Sequence, residues 1–136
     1  MSSLTIELDK NYQTKKGKVE AFGSIKNHLD VEGIIRYALM GKGDFDGKGF
    51  HMAVHLVSEE YYREAADFST PHKHDFDEIN IIVPINSSLS YAFEVDGEEM
   101  ILEAPYTLFI PAGAYHQAKP LRGTGIFICI QLDNKE

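Results

Sequence analysis

From residue 50 onward the chain alternates between apolar and polar positions. "FHMAVHLVS" places Phe50, Met52, Val54 and Leu56 on one face and His51, Ala53, His55 and Val57 on the other, the period-two pattern of a strand. "LSYAFEV" and "EEMILEA" flank Asp96-Gly97, a dipeptide suited to the positive φ values of a two-residue hairpin. "INIIVPI", "YTLFIPAG" and "GIFICIQL" supply further strands. The last is apolar on both faces, so it belongs inside a sheet, one face toward a barrel interior and the other packed elsewhere, as on a partner subunit. Pro84, Pro105, Pro111 and Pro120 fall at or near the ends of these runs, where a missing N–H does least harm. The pattern weakens toward the N-terminus. "DVEGIIRYALMG" reads as a strand from Gly33 to Leu39, "GKGDFDGKG" as a turn-rich loop, and "SEEYYREAADF" as a short helix or ordered loop. Many short strands with Gly and Pro between them predict an all-β sandwich or barrel. Residues 46–136 form this barrel, and residues 1–45 are a partly irregular segment that packs on it or extends it, within a single domain.

Composition narrows the function classes. The chain has 136 residues and a net charge of −8, which argues against nucleic acid as a partner, since phosphate binding needs clustered Lys and Arg. The only basic cluster, Lys15, Lys16 and Lys18 around Gly17, reads as a solvated turn. A single cysteine, Cys129, excludes an internal disulfide framework and reads as a small core residue. The start lacks the apolar stretch of a secretory signal, and no run approaches the roughly 20 apolar residues of a membrane span. The expectation is a cytoplasmic protein with a small-molecule substrate and neither nucleic acid nor membrane as partner.

The chemistry concentrates in "TPHKHDFDE", residues 70–78. On a strand, positions i and i+2 project to one side, so His72 and His74 can converge on one ion. Glu78 shares their parity but would lie roughly 13 Å beyond His74 on a straight strand. It joins them only if Asp75, Phe76 and Asp77 bulge or turn. A fourth donor is offered by His116, placed just after a tight turn at Pro111 and Gly113. The alternative is a polar cluster in which His72, His74 and Glu78 hydrogen-bond one another.

"HKHDFDE" and "PAGAYH" match the HxHxxxE and PxGxxH cores of the two cupin motifs, in order and with a DG hairpin between them. The chain resembles a small single-domain cupin over residues 50–132. The resemblance implies a jelly-roll barrel, with His72, His74, Glu78 and His116 as the ligands of one divalent transition metal. It departs from the usual motifs at scaffold positions, with Ile85, Pro105 and Pro120 where Gly, Gly and Asn are common.

Other residues are candidates by position. His51 and His55 share a strand face and are candidate general acids or bases if that face looks inward, with surface or hydrogen-bonded histidines as the plainer reading; if it looks outward, Met52 and Val54 line the pocket instead. Tyr115 adjoins the metal loop. Asn80, Tyr91, Phe93, Phe127 and Gln131 are candidate lining residues, the aromatics equally readable as core. Arg63 is a candidate clamp for a substrate carboxylate or the partner of Glu59 or Glu60. Three imidazoles and a carboxylate suit Fe(II), the favoured ion, as well as Mn, Ni, Co, Zn or Cu. The expected function is a mononuclear metal enzyme acting on a small polar organic substrate by Fe(II)-dependent oxygenase chemistry. Non-redox isomerase, lyase or decarboxylase chemistry and non-catalytic ligand binding are the alternatives, and a homodimer is expected.

Overall fold

Seven antiparallel strands pair into one sheet in the computed structural model, which describes residues 12–132. They are β1 (Lys18–Val19), β2 (Ile34–Met40), β3 (His51–Val57), β4 (Asp77–Val95), β5 (Glu98–Glu103), β6 (Tyr106–Ile110) and β7 (His116–Leu132). The strand order is β1-β2-β3-β7-β4-β5, with β6 also paired to β4. Strands β1 and β2 therefore extend the sheet from the N-terminal segment; residues 1–11 lie outside the described residues. The loop after β2 makes a tight turn at Asp44–Gly47, where Phe45 and Asp46 take positive φ. Residues Glu59–Arg63 form a 3-10 turn. The architecture is a jelly roll, barrel-like in shape, but the sheet is not closed.

The two long strands explain the shape. Residues 78–82 of β4 pair with β6, residues 90–95 pair with β5, and β7 runs alongside both halves. Between the halves the β4–β7 register shifts, across Pro84 to Leu89. The shift reverses which positions face inward. Glu78, Asn80 and Ile82 are buried in the first half of β4, whereas Tyr91 and Phe93 are buried in the second. Strand β7 makes the same exchange, from His116 and Pro120 to Phe127 and Cys129. Such a bulge bends a strand and re-aims its side chains. Both halves contribute to one core, in which Tyr91 stacks on Phe127 at 5.2 Å between ring centroids.

The corner is held by specific contacts. Gly123 has a φ of +90°, and a Cβ there would stand 1.4 Å from the Ser88 carbonyl oxygen. Only glycine fits so close an approach. Tyr62 donates its hydroxyl proton to the Gly123 carbonyl at 2.8 Å, and the Thr124 amide donates to Ser87 Oγ at 3.0 Å.

Cross-strand rows order both faces of the larger layer. On the inner face, Arg36, His55, Phe127 and Ile82 lie in one row, and His51, Gln131, Glu78 and Ile110 in another. On the outer face the rows are Ile35–Leu56–Ile126–Val83, Tyr37–Val54–Ile128–Ile81 and Met52–Ile130–Ile79–Phe109. None of these outer positions is charged. The two-faced apolar character of "GIFICIQL" has its cause here: β7 is central, with Phe127 and Cys129 facing the core and Ile126, Ile128 and Ile130 facing out.

Gly123→Ala is expected to cost about 3 kcal/mol or more, because the new methyl meets backbone that cannot yield. Urea unfolding of the variant against the parent chain measures it.

Candidate metal centre and cavity

Two short segments meet to form the site. His72 and His116 make an isolated antiparallel bridge, with His72 N–H donating to the His116 carbonyl at 3.1 Å and His116 N–H to the His72 carbonyl at 2.8 Å. The loop between β6 and β7 is stitched to the same segment: Gly113 N–H donates to the His74 carbonyl at 2.8 Å, and Ala112 N–H to Asp77 Oδ1 at 2.9 Å. The β4–β5 hairpin braces it from the other side. Asp96 and Gly97 take the positive φ values expected of the turn. Asp96 N–H donates to the Tyr115 carbonyl at 2.7 Å, and its carboxylate accepts from Tyr115 N–H at 2.9 Å.

The chain bends at Asp75 and Phe76, and β4 begins at Asp77. This is the turn that Glu78 needs. Glu78 Oε1 lies 3.6 Å from His74 Nε2 and 3.5 Å from His116 Nε2. Candidate ligand atoms of His72, His74 and His116 all lie within 4.8 Å of one another. The bend thus brings the carboxylate beside two of the three imidazoles.

The donor chemistry fits a metal. His72 Nδ1 donates to the Thr70 carbonyl at 2.6 Å and His116 Nδ1 to the Ala114 carbonyl at 3.1 Å. A backbone acceptor on Nδ1 leaves Nε2 as the free lone pair, the usual way a ligating imidazole is oriented. His116 Nε2 is buried with no hydrogen-bond partner among the described residues, and the 3.5 Å to Glu78 is too long for a full hydrogen bond. An ion would satisfy it. Burial pushes His74 below the ordinary imidazole range, which keeps its lone pair available. Burial also opposes protonation of His116, but the adjacent Glu78 carboxylate outweighs it and holds that imidazole above its ordinary value. Burial works to raise Glu78, yet His116 and Asn80 hold its carboxyl below the usual value. Asn80 does so by donating Nδ2–H to Glu78 Oε2 at 2.9 Å. His74 stacks on Phe76 at 4.5 Å, which holds its ring.

These groups form one end of a cavity of about 340 Å³, at the small end of the range for ligand sites. Of the residues expected from sequence, His55, Asn80, Tyr91, Phe127 and Gln131 line it. The others stand elsewhere. The His51/His55 face of β3 turns inward, so Met52, in the opposite parity, lies on the outer face. Phe93 is packed in the core and is not part of the cavity wall. His51 borders a separate surface groove with Phe76 and Leu132. Tyr115 is exposed, with Lys73 Nζ 5.0 Å from its ring centroid. Arg63 is exposed and 4.0 Å from Glu60, which is the pairing its sequence neighbours offered.

Several wall residues escaped the sequence reading, Arg36 and His28 among them. Arg36 is buried at 7% exposure, donating Nε–H to Glu20 Oε1 at 2.9 Å and facing His55. A lone Arg inside the apolar run "GIIRYALM" at the parity of buried Ile34 was the available signal. His28, in a polar loop, stands 5.6 Å from His72 between ring centroids and is pushed down by burial; nothing in its local sequence marked it.

No protein-family model matches the chain, and no curated protein does. Solved structures do. An RmlC-like cupin from Shewanella frigidimarina is 16% identical, with a TM-score of 0.54 over 93% of this chain and 95% of that one. A predicted oxalate decarboxylase from Thermotoga maritima is 15% identical, with a TM-score of 0.60 over 86% and 91%. The Fe(II) protein HppE is 11% identical, with a TM-score of 0.56 over 91% of this chain and 62% of that one. These likenesses establish a cupin-type fold.

Stoichiometric Zn(II) or Co(II) is expected to raise the unfolding temperature, corresponding to about 2.7 kcal/mol when the free ion is about 100-fold above Kd. His116→Ala is expected to abolish the shift, read by thermal denaturation with and without metal.

Proposed function

We propose that this chain, a cupin-type domain, is a mononuclear metal-dependent enzyme acting on a small polar organic substrate, and that its reaction is Fe(II)-dependent oxygenase chemistry. The observation that carries the reading is the convergence of His72, His74 and His116 within 4.8 Å, at the wall of a cavity that also holds Glu78. Four such donors leave one or two positions open in five- or six-coordination. When bound, the metal supplies a Lewis acid that polarises a substrate oxygen and, as Fe(II), access to the redox chemistry of O₂.

The protein's own groups do the rest. His72 and His116 are oriented through their Nδ1–H bonds to Thr70 and Ala114. Glu78 would offset part of a bound ion's charge and is itself held by Asn80. Phe68 and Phe127 give the cavity an apolar wall, and a low-dielectric surrounding strengthens polarisation of a bound group. The HppE likeness supports iron only to the extent that this fold accommodates Fe(II) elsewhere. The likeness to a predicted oxalate decarboxylase supports the non-redox reading in the same measure.

Metal analysis of the purified chain, then reconstitution with Fe(II), Mn(II), Co(II), Ni(II), Zn(II) and Cu(II) singly, tests the proposal. Turnover is expected with Fe(II) and O₂ only. Turnover that persists without O₂ would turn the reading to isomerase, lyase or decarboxylase chemistry. A His72→Ala/His74→Ala chain that binds its ligand normally would make it a binding module.

The chain is also proposed to act as a homodimer through the outer face of the larger layer. Ile35, Leu56 and Phe109 are exposed there at 45%, 39% and 54%. A contiguous face without charged residues is where two copies, each at −8 overall, meet with least repulsion. Among the described residues no helix is long and apolar enough to cross a membrane, and the single buried thiol suits the cytoplasm. Sedimentation equilibrium is expected to give a dimer, and Val54→Lys/Ile128→Lys a folded monomer; a parent chain that sediments as a monomer would remove the dimer.

A further inference from the structure

Arg36 and His55 are paired across β2 and β3 and fix each other's chemistry. The Arg36 guanidinium has donors only. Its Nη1 stands 3.0 Å from His55 Nε2 and its Nη2 3.3 Å from His51 Nε2. Both ring nitrogens must therefore accept, and the proton of a neutral His55 resides on Nδ1. Burial and the Arg36 charge push His55 well below the ordinary imidazole range, so it is neutral near pH 7.

His55 is 4% exposed and its Nδ1 is buried without a hydrogen-bond partner among the described residues. The ring cannot turn to find one. It stacks on Phe127 at 5.0 Å and meets the edge of Phe22 at 4.8 Å. His55 is also part of the cavity wall. Buried N–H groups are rarely left unpaired in folded proteins, so an orphan at the wall of a cavity calls for an acceptor inside it.

We propose that His55 Nδ1–H is the donor that receives an acceptor oxygen of the cavity's ligand, selecting small compounds with a carboxylate or carbonyl oxygen at the end remote from His72, His74 and His116 and rejecting those with an ammonium there. The proposal rests on the reading that a metal at the three histidines holds the ligand's other end. His55 lies four residues along β3 from His51, whose row contains Glu78, or roughly 13 Å along the strands. The ligand is therefore addressed at two separated points. The charge beside His55 is that of Arg36, which favours an oxygen-bearing end over a cationic one. Arg36 is a positioning residue, acting on the ligand through the tautomer it imposes.

Ring-nitrogen NMR on the metal-free protein tests the donor directly. His55 is expected to show a protonated Nδ1 and an unprotonated Nε2, and Arg36→Met to mix the two tautomers. Calorimetry on the Zn(II)-loaded protein then compares 2-hydroxyadipate, 2-hydroxyhexanoate and 6-amino-2-hydroxyhexanoate, which share a 2-hydroxy acid end, are long enough to approach His55 from the metal end, and differ at the far end. 2-Hydroxyadipate is expected to bind about tenfold tighter than the other two and to shift the His55 Nδ1 resonance. The preference is expected to vanish in His55→Phe and to survive in His55→Asn, which keeps an N–H near the Nδ1 position. An Nε2-protonated His55, or equal affinities on a protein that takes up Zn(II), overturns the proposal while leaving the metal site standing. Failure to take up any metal overturns the parent reading, and the tautomer in the metal-free protein still decides the donor.

Discussion

Everything at the site hangs on two backbone hydrogen bonds, those that tie His72 to His116 across a bridge outside the named strands. Side-chain spacing alone would not hold three imidazoles together, because His72 and His74 precede β4 and His116 opens β7. The bridge fixes the separation of the two segments by peptide geometry. The loop amides of Ala112 and Gly113 then close the remaining freedom by donating to Asp77 and the His74 carbonyl. Side chains supported in this way meet with little adjustment left to make, which is what a preorganised centre requires.

The rest of the molecule can be seen as the support for that bridge. The β4–β7 ladder brings the segments into register from below, the Asp96–Gly97 turn braces Tyr115 from the side, and the aromatic stack of His55, Phe127 and Tyr91 fills the floor. Some polar groups in this floor have a defined orientation. The Arg36 group is the clearest instance: a buried cation that neutralises Glu20, orders two imidazoles and brings a positive charge to the far end of the cavity.

Much of this was legible in the residues. Period-two alternation located the strands from residue 50 onward, the DG pair located the hairpin, and the HxHxxxE and PxGxxH spacings singled out the three histidines and the carboxylate that the structure brings together. The need for a bend at Asp75 to Asp77 followed from strand rise alone. What escaped depended on long-range pairing. Which face of β3 looks inward is set by β2 and β7, so Met52 and His55 were equally eligible until the rows were known. Phe93 and Tyr91 share a strand face, and only the depth of each along β4 separates a core ring from a cavity wall. Arg36 and His28 belong to the segment before residue 45, where pattern was weakest, and their importance comes from partners distant in sequence.

The corner between Pro84 and Leu89 has one more consequence. Because inward parity reverses at this corner in β4, and in β7 at the next register shift, opposite Ser90 and Tyr91, the two halves of the jelly roll are set by separate reading frames. Changing the length of the corner by one residue would turn Tyr91 and Phe93 outward while leaving Glu78 and Asn80 in place. The metal-facing end and the aromatic floor are thus phased against each other by a residue count: one residue more or less at the corner would point one of them away from the shared core.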